Sequence, residues 1–67
     1  MTKRYFEDFA RRIRADRDSV KEYATDREAL RVFDETAYAA ALISAVAAEH
    51  NPRFDRQRFM RACGIIG

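Results

Sequence analysis

The sequence predicts an all-α fold, a small bundle of three helices, or four, closed by a short C-terminal helix. Three observations predict it: apolar residues recur at helical spacing, Thr25 and Asp55 stand where helix N-caps belong, and no stretch alternates as a strand does between turn residues. No internal repeat or low-complexity segment interrupts the 67 residues, which read as one domain over 1–67.

Residues 3 to 24 carry the pattern of a first helix. On a wheel of 100° per residue, Tyr5, Phe6, Phe9, Ala10, Ile13 and Val20 fall within an arc of about 140°, and Arg4, Glu7, Asp8, Arg11 and Arg14 fall outside it. That is an amphipathic helix with one buried face. Glu7 to Arg11 and Asp8 to Arg12 are i,i+4 pairs in the favourable orientation. Asp16-Arg17-Asp18-Ser19 interrupts the pattern and Ser19-x-x-Glu22 reads as a capping box, while Tyr23 and Ala24 return to the stripe. The residues therefore allow either one continuous helix or a break near Asp18.

Thr25-Asp26-Arg27-Glu28 is a second capping box, set just before Ala29, Leu30 and Phe33. A second helix is expected from Asp26, with Asp34-Glu35-Thr36 a place where it could kink or restart. From Ala37 to Ala48 it is apolar all round, as expected for a central helix touched on several sides. Tyr38, Leu42, Ile43 and Val46 supply its bulk, and its alanines let neighbouring backbones approach. Asn51-Pro52 ends it, since the residue before a proline is pushed out of the α region and Asn tolerates a left-handed terminus.

The third helix is expected over Arg56 to Cys63. Asp55 is its N-cap, Phe54 and Phe59 form a hydrophobic staple, and Gly64 followed by Ile65 is a Schellman stop with Met60 as the contact of Ile65. Phe59, Met60 and Cys63 face inward; Gln57, Arg58 and Arg61 face outward.

Composition narrows the function. A chain this short buries only about 60% of its unfolded surface. Ile, Leu, Val and Phe number 14, a thin supply for a core, but the net charge of +2 does not hold the chain open. One Cys excludes an internal disulfide and Cys₂His₂ or Cys₄ zinc sites. The basic N-terminus runs straight into Tyr5-Phe6-Glu7-Asp8, so no apolar signal region is read there. The apolar run Ala37 to Ala48 is far shorter than the roughly 20 residues that span a bilayer. The expected setting is the cytoplasm of a bacterial host, and the Arg- and Ala-heavy usage suggests a GC-rich genome.

Met1-Thr2-Lys3-Arg4-Tyr5-Phe6-Glu7-Asp8-Phe9-Ala10-Arg11-Arg12-Ile13-Arg14 and Asn51-Pro52-Arg53-Phe54-Asp55-Arg56-Gln57-Arg58-Phe59-Met60-Arg61-Ala62-Cys63-Gly64 together resemble short, uncharacterised proteins carried by bacteriophages, prophages and plasmids of GC-rich bacteria. The resemblance covers 28 of the 67 residues, and the C-terminal Asn-Pro-Arg-Phe-Asp-x-x-Arg-Phe-x-x-Ala-Cys-Gly pattern is its distinctive part. The acidic segment from Asp16 to Glu35 departs from the shorter middle of that set. What the resemblance implies is a small accessory protein of a mobile element, a class that works by binding a host protein or DNA.

Chemistry-bearing residues are sparse. His50 sits in the last turn of the second helix, where an imidazole favours the helix C-terminus, and no Ser or Cys with an orienting acid is placed beside it by sequence. Cys63 reads as a small buried hydrophobe rather than a nucleophile. Asp16, Asp18 and Glu22 lack the central Gly and closing Glu of a calcium loop. Glu7-Asp8 and Asp34-Glu35 are adjacent in sequence and splay about 100° apart on a helix, a poor geometry for acid/base work. No enzyme activity, cofactor, metal or small-molecule substrate is expected.

Charge is the more informative signal. Residues 1–15 carry +3, residues 16–50 carry −4 and residues 51–67 carry +3. Either the three segments pair their charges across the surface, or Arg11, Arg14, Arg53, Gln57, Arg58 and Arg61 form a binding surface. The sequence thus points to a non-enzymatic module that binds a host or phage protein, inhibition of a host or defence protein being one form of that action, or pairs with a second copy; no membrane partner is expected. The alternative is a helix-turn-helix regulator whose Gln57, Arg58 and Arg61 read DNA while Arg53 holds its backbone.

Overall fold

A computed structural model describes residues 3–66, with the side chain of Tyr23 outside the described set. Three helices follow one another, α1 (Lys3–Tyr23), α2 (Asp26–His50) and α3 (Arg56–Ala62), and no strand occurs among the described residues. The all-α bundle with a short C-terminal helix is therefore the fold.

α1 does not break, and the described residues hold no fourth helix. The Ser19 hydroxyl donates to the Asp16 carbonyl at 3.2 Å, inside the helix, instead of capping a new one. Asp16 and Asp18 are likewise held by local pairs, Arg12 to Asp16 at 3.2 Å and Lys21 to Asp18 at 3.6 Å. The polar run is thus satisfied as helix. α2 passes through Asp34-Glu35-Thr36 uninterrupted, with the Thr36 hydroxyl donating to the Val32 carbonyl at 2.7 Å.

Thr25 caps α2 by accepting from the Glu28 amide at 3.2 Å, but no return bond from the Glu28 carboxylate forms among the described residues. At the other end Asn51 is extended, at φ −141 and ψ 102, rather than left-handed. Pro52 explains the difference, because its ring favours the β region at the preceding residue. Asn51 then turns the chain by accepting the Arg53 amide on its side chain at 3.0 Å.

α3 is specified almost entirely by its ends. Asp55 accepts the Arg58 amide at 3.0 Å, and the staple rings of Phe54 and Phe59 lie 5.8 Å apart. Gly64 takes the left-handed φ of 79°. Its amide donates to the Arg61 carbonyl at 3.0 Å and the Ile65 amide to the Met60 carbonyl at 3.1 Å, the two bonds of a Schellman motif. A helix of two turns cannot form alone. Asp55→Ala and Thr25→Ala are each expected to lower stability by about 1 kcal/mol, read from urea unfolding followed by circular dichroism. The Asp55 change should also loosen amide exchange across α3, whereas Thr25→Ala should leave α3 protected.

α1 and α2 pack as an antiparallel hairpin, and α3 packs against both. The core is Ala10, Ile13, Ala40, Phe59 and Cys63, with Phe6, Ile43, Phe54, Met60 and Ile65 half-buried around it. Two expected features of the packing are corrected. Tyr5 and Phe9, placed on the buried stripe by the wheel, are 58% and 40% exposed. α2 is not enclosed on all sides either: it buries Ala40, Ser44 and Ala47, and turns Tyr38, Leu42 and Val46 to solvent at 72%, 55% and 46% exposure. A helix with two neighbours covers one side, and the small side chains occupy that side because they permit close approach.

Candidate functional site

Two surfaces present themselves, one basic and one apolar. The basic one follows from the arrangement of α1 and α3, which run side by side in the same direction. Lys3 meets Arg53 and Arg58 in one shallow cleft of about 500 Å³, and further along the side chain of Arg14 lies over Gly64. The two basic ends of the chain are therefore neighbours. Glu7 and Asp55 line the same cleft, so it is mixed in sign.

The predicted site residues divide within this arrangement. Arg11 is bonded to Asp8 at 2.8 Å and Arg14 lies 3.9 Å from Asp18, both along α1. Arg53, Gln57, Arg58 and Arg61 are exposed, and none of the three arginines forms an ion pair among the described residues. Only Arg53 and Arg58 line the cleft; Gln57 and Arg61 do not. Every ion pair among the described residues joins positions three or four apart in one helix. Apart from Arg12 with Asp16 and Arg14 with Asp18, which meet across the segment boundary within α1, the acidic middle does not pair with the basic ends among the described residues, and most of the charge segregation of the sequence persists on the folded surface.

The apolar surface lies where the N-terminal half of α1 meets the C-terminal half of α2. Phe9, Leu42, Val46 and His50 border a half-open groove of about 550 Å³ floored by Phe6 and Ile43, and Tyr38 extends it along α2. Scattered apolar residues are normal on a protein surface, but a contiguous set rimmed by polar groups marks an interaction site. The sequence reading assigned these residues to the core. One signal could have exposed them: a chain with three helices offers α2 only two neighbours, which cannot enclose an all-round apolar helix.

Cys63 is wholly buried on the inner side of α3. Burial pushes its thiol up, against a smaller opposing pull from the Arg17 guanidinium. That is the behaviour of a packed side chain rather than an activated nucleophile. No group of three or more His, Cys, Asp or Glu side chains is placed to hold a metal ion among the described residues. No helix of the described residues is long and apolar enough to cross a membrane.

Fold and surfaces together define a small helical bundle that carries an apolar groove on one side and a mixed basic cleft on another. The chain matches no protein-family model, and neither a curated protein nor a solved structure is significantly similar to it.

Proposed function

We propose that this chain is a small non-enzymatic accessory protein of a mobile element, of the kind phages carry, and that it acts by binding a protein. The observation that carries the reading is the apolar face of Phe9, Tyr38, Leu42 and Val46, which the chain's own helices leave uncovered. The mobile-element setting rests on the resemblance of the two chain ends to phage, prophage and plasmid proteins, and inhibition of a host or defence protein is the action such a setting favours.

The rival reading is a helix-turn-helix-like DNA-binding regulator. It is favoured by Arg53, Arg58 and Arg61, exposed and without ion pairs among the described residues. Against it stand the seven-residue length of α3 and the carboxylates of Glu7 and Asp55 in the cleft. A recognition helix needs enough length to lay several side chains along a major groove.

Affinity capture from the bacterial host, with nuclease and with the Leu42→Glu variant as comparator, separates the two. The protein-binding reading expects a captured protein, a second copy included, that survives nuclease and is lost in the variant. Mixed-sequence duplex that binds at low salt and is released by Arg58→Ala with Arg61→Ala, with no Leu42-dependent protein, would establish the rival.

A further inference from the structure

Building on the protein-binding reading, we infer that the occupant of the apolar face is a second copy of this chain, with the two α2 helices packed antiparallel about a two-fold axis near Leu42. Two observations lead there. The first is surface area. The chain exposes 5397 Å² for its 7.8 kDa, where a compact monomer of that mass exposes about 4,400 Å². The excess of about 1,000 Å² is spread over an elongated body of 39 × 19 × 17 Å, and an interface of the standard size, roughly 800 Å² per partner, would remove most of it.

The second observation is a row of side chains that is complementary to itself. Asp34, Tyr38, Leu42, Val46 and His50 stand four residues apart along α2, and all are exposed. Read in one direction the row runs acid, three apolar groups, imidazole; reversed, it offers imidazole, three apolar groups, acid. A two-fold axis at Leu42 sets Leu42 on its own copy, Tyr38 on Val46 of the second copy, and Asp34 on His50 of the second copy. A parallel pairing would set Asp34 on Asp34 and waste the complementarity. Residue pairing of this kind is what an isologous contact requires.

The geometry around the row agrees with it. Helices that meet along i,i+4 rows cross at about −50°, the common class of helix packing, and Ala41 and Ala45 beside the row leave room for close approach. At that angle Phe9, which borders the groove at the level of Leu42 and Val46, is carried into contact with Tyr38 of the second copy. Glu35 would come toward Glu49 of the second copy, but Glu35 is already bonded to Arg31 at 3.0 Å, so the approach is neutralised locally. The assembled object is two α1–α2 hairpins joined through their outer faces, with each α3 and its basic cleft left on the outside.

Sedimentation velocity of the full chain tests this, together with disulfide trapping. At about 100 µM the wild-type protein is expected to run as a dimer, and both Leu42→Glu and Val46→Lys as monomers with unchanged helical circular dichroism, since these side chains are already half exposed in the monomer. Asp34→Lys is expected to weaken the dimer about tenfold and Asp34→Lys with His50→Glu to recover most of it. A mixture of Tyr38→Cys and Val46→Cys proteins should form the mixed disulfide in preference to either like pair; the buried Cys63 is the silent background. A wild-type monomer at that concentration overturns the inference, as does a dimer that survives both Leu42→Glu and Val46→Lys, or a Tyr38→Cys pair that links to itself. Failure of the dimer leaves the protein-binding reading standing when capture still finds a different protein dependent on Leu42, so the two fail separately.

Discussion

Phe59→Ala is expected to remove a large share of the chain's stability. Phe59 is 6% exposed and, among the described residues, is the one buried aromatic side chain. Its ring meets Phe6 edge-on at 6.2 Å and 86°, and Phe54 tilted at 5.8 Å, while Phe6 and Phe54 themselves lie 4.7 Å apart. The triad ties α1, the turn after α2 and α3 together at one point. Truncating a buried Phe to Ala costs about 3–5 kcal/mol, a figure that already contains the loss of its ring pairs. A domain of 67 residues has a total stability of about 3–10 kcal/mol. The substitution removes a large share of that range, so the thermal midpoint should fall by about 15 °C or more. Phe54→Ala, at the half-buried corner of the triad, should cost much less, about 1–2 kcal/mol. A Phe59→Ala protein that melts within a few degrees of wild type would show that α3 does not close the core. Leu42→Glu makes a useful contrast, because it is expected to remove assembly and leave the fold.

The helices were legible because their ends are written in local chemistry. Thr25, Asp55, Gly64 and Asn51-Pro52 each act on amides or carbonyls within a few residues, so position in the chain is enough to read them. The burial pattern was not legible in the same way. Tyr5 and Phe9 belong to the apolar arc of α1, yet only one edge of that arc, running through Phe6, Ala10 and Ile13, meets a neighbour. On α2 the ordinary expectation that large side chains go in and small ones out is inverted. Ala40, Ser44 and Ala47 are buried while Tyr38, Leu42 and Val46 are exposed, because close approach of two neighbouring helices selects small residues at the contact. The basic surface was half legible: charge segregation is a sum over sequence, but the meeting of Lys3 with Arg53 and Arg58 depends on α3 folding back alongside α1.

Arg17 is the clearest residue that pattern reading passes over, and its removal is the second large effect expected. It sits inside the acidic run that interrupts the apolar pattern of α1, yet it falls on the packed edge, four residues after Ile13 and three before Val20. Its guanidinium donates to the Phe33 carbonyl and to the Thr36 hydroxyl, both at 2.9 Å, and lies 4.8 Å over the Phe33 ring. One side chain therefore joins α1 to α2 beyond Ile13 and Cys63, on the side of the core toward the Thr25 turn. Hydrogen bonds from a charged donor contribute about 1.5–3 kcal/mol; Arg17 is only half-buried, which places Arg17→Ala near 1–2 kcal/mol. Arg17→Lys should recover less than half of it, since an ammonium cannot stack flat on Phe33 while serving two separated acceptors. Thr36→Val removes one acceptor and keeps the shape, so a double-mutant cycle between Arg17→Ala and Thr36→Val should give a coupling of about 0.5–1 kcal/mol in urea unfolding. Additive effects within error would mean that the bond to Thr36 contributes nothing, and that Arg17 holds the hairpin only through Phe33.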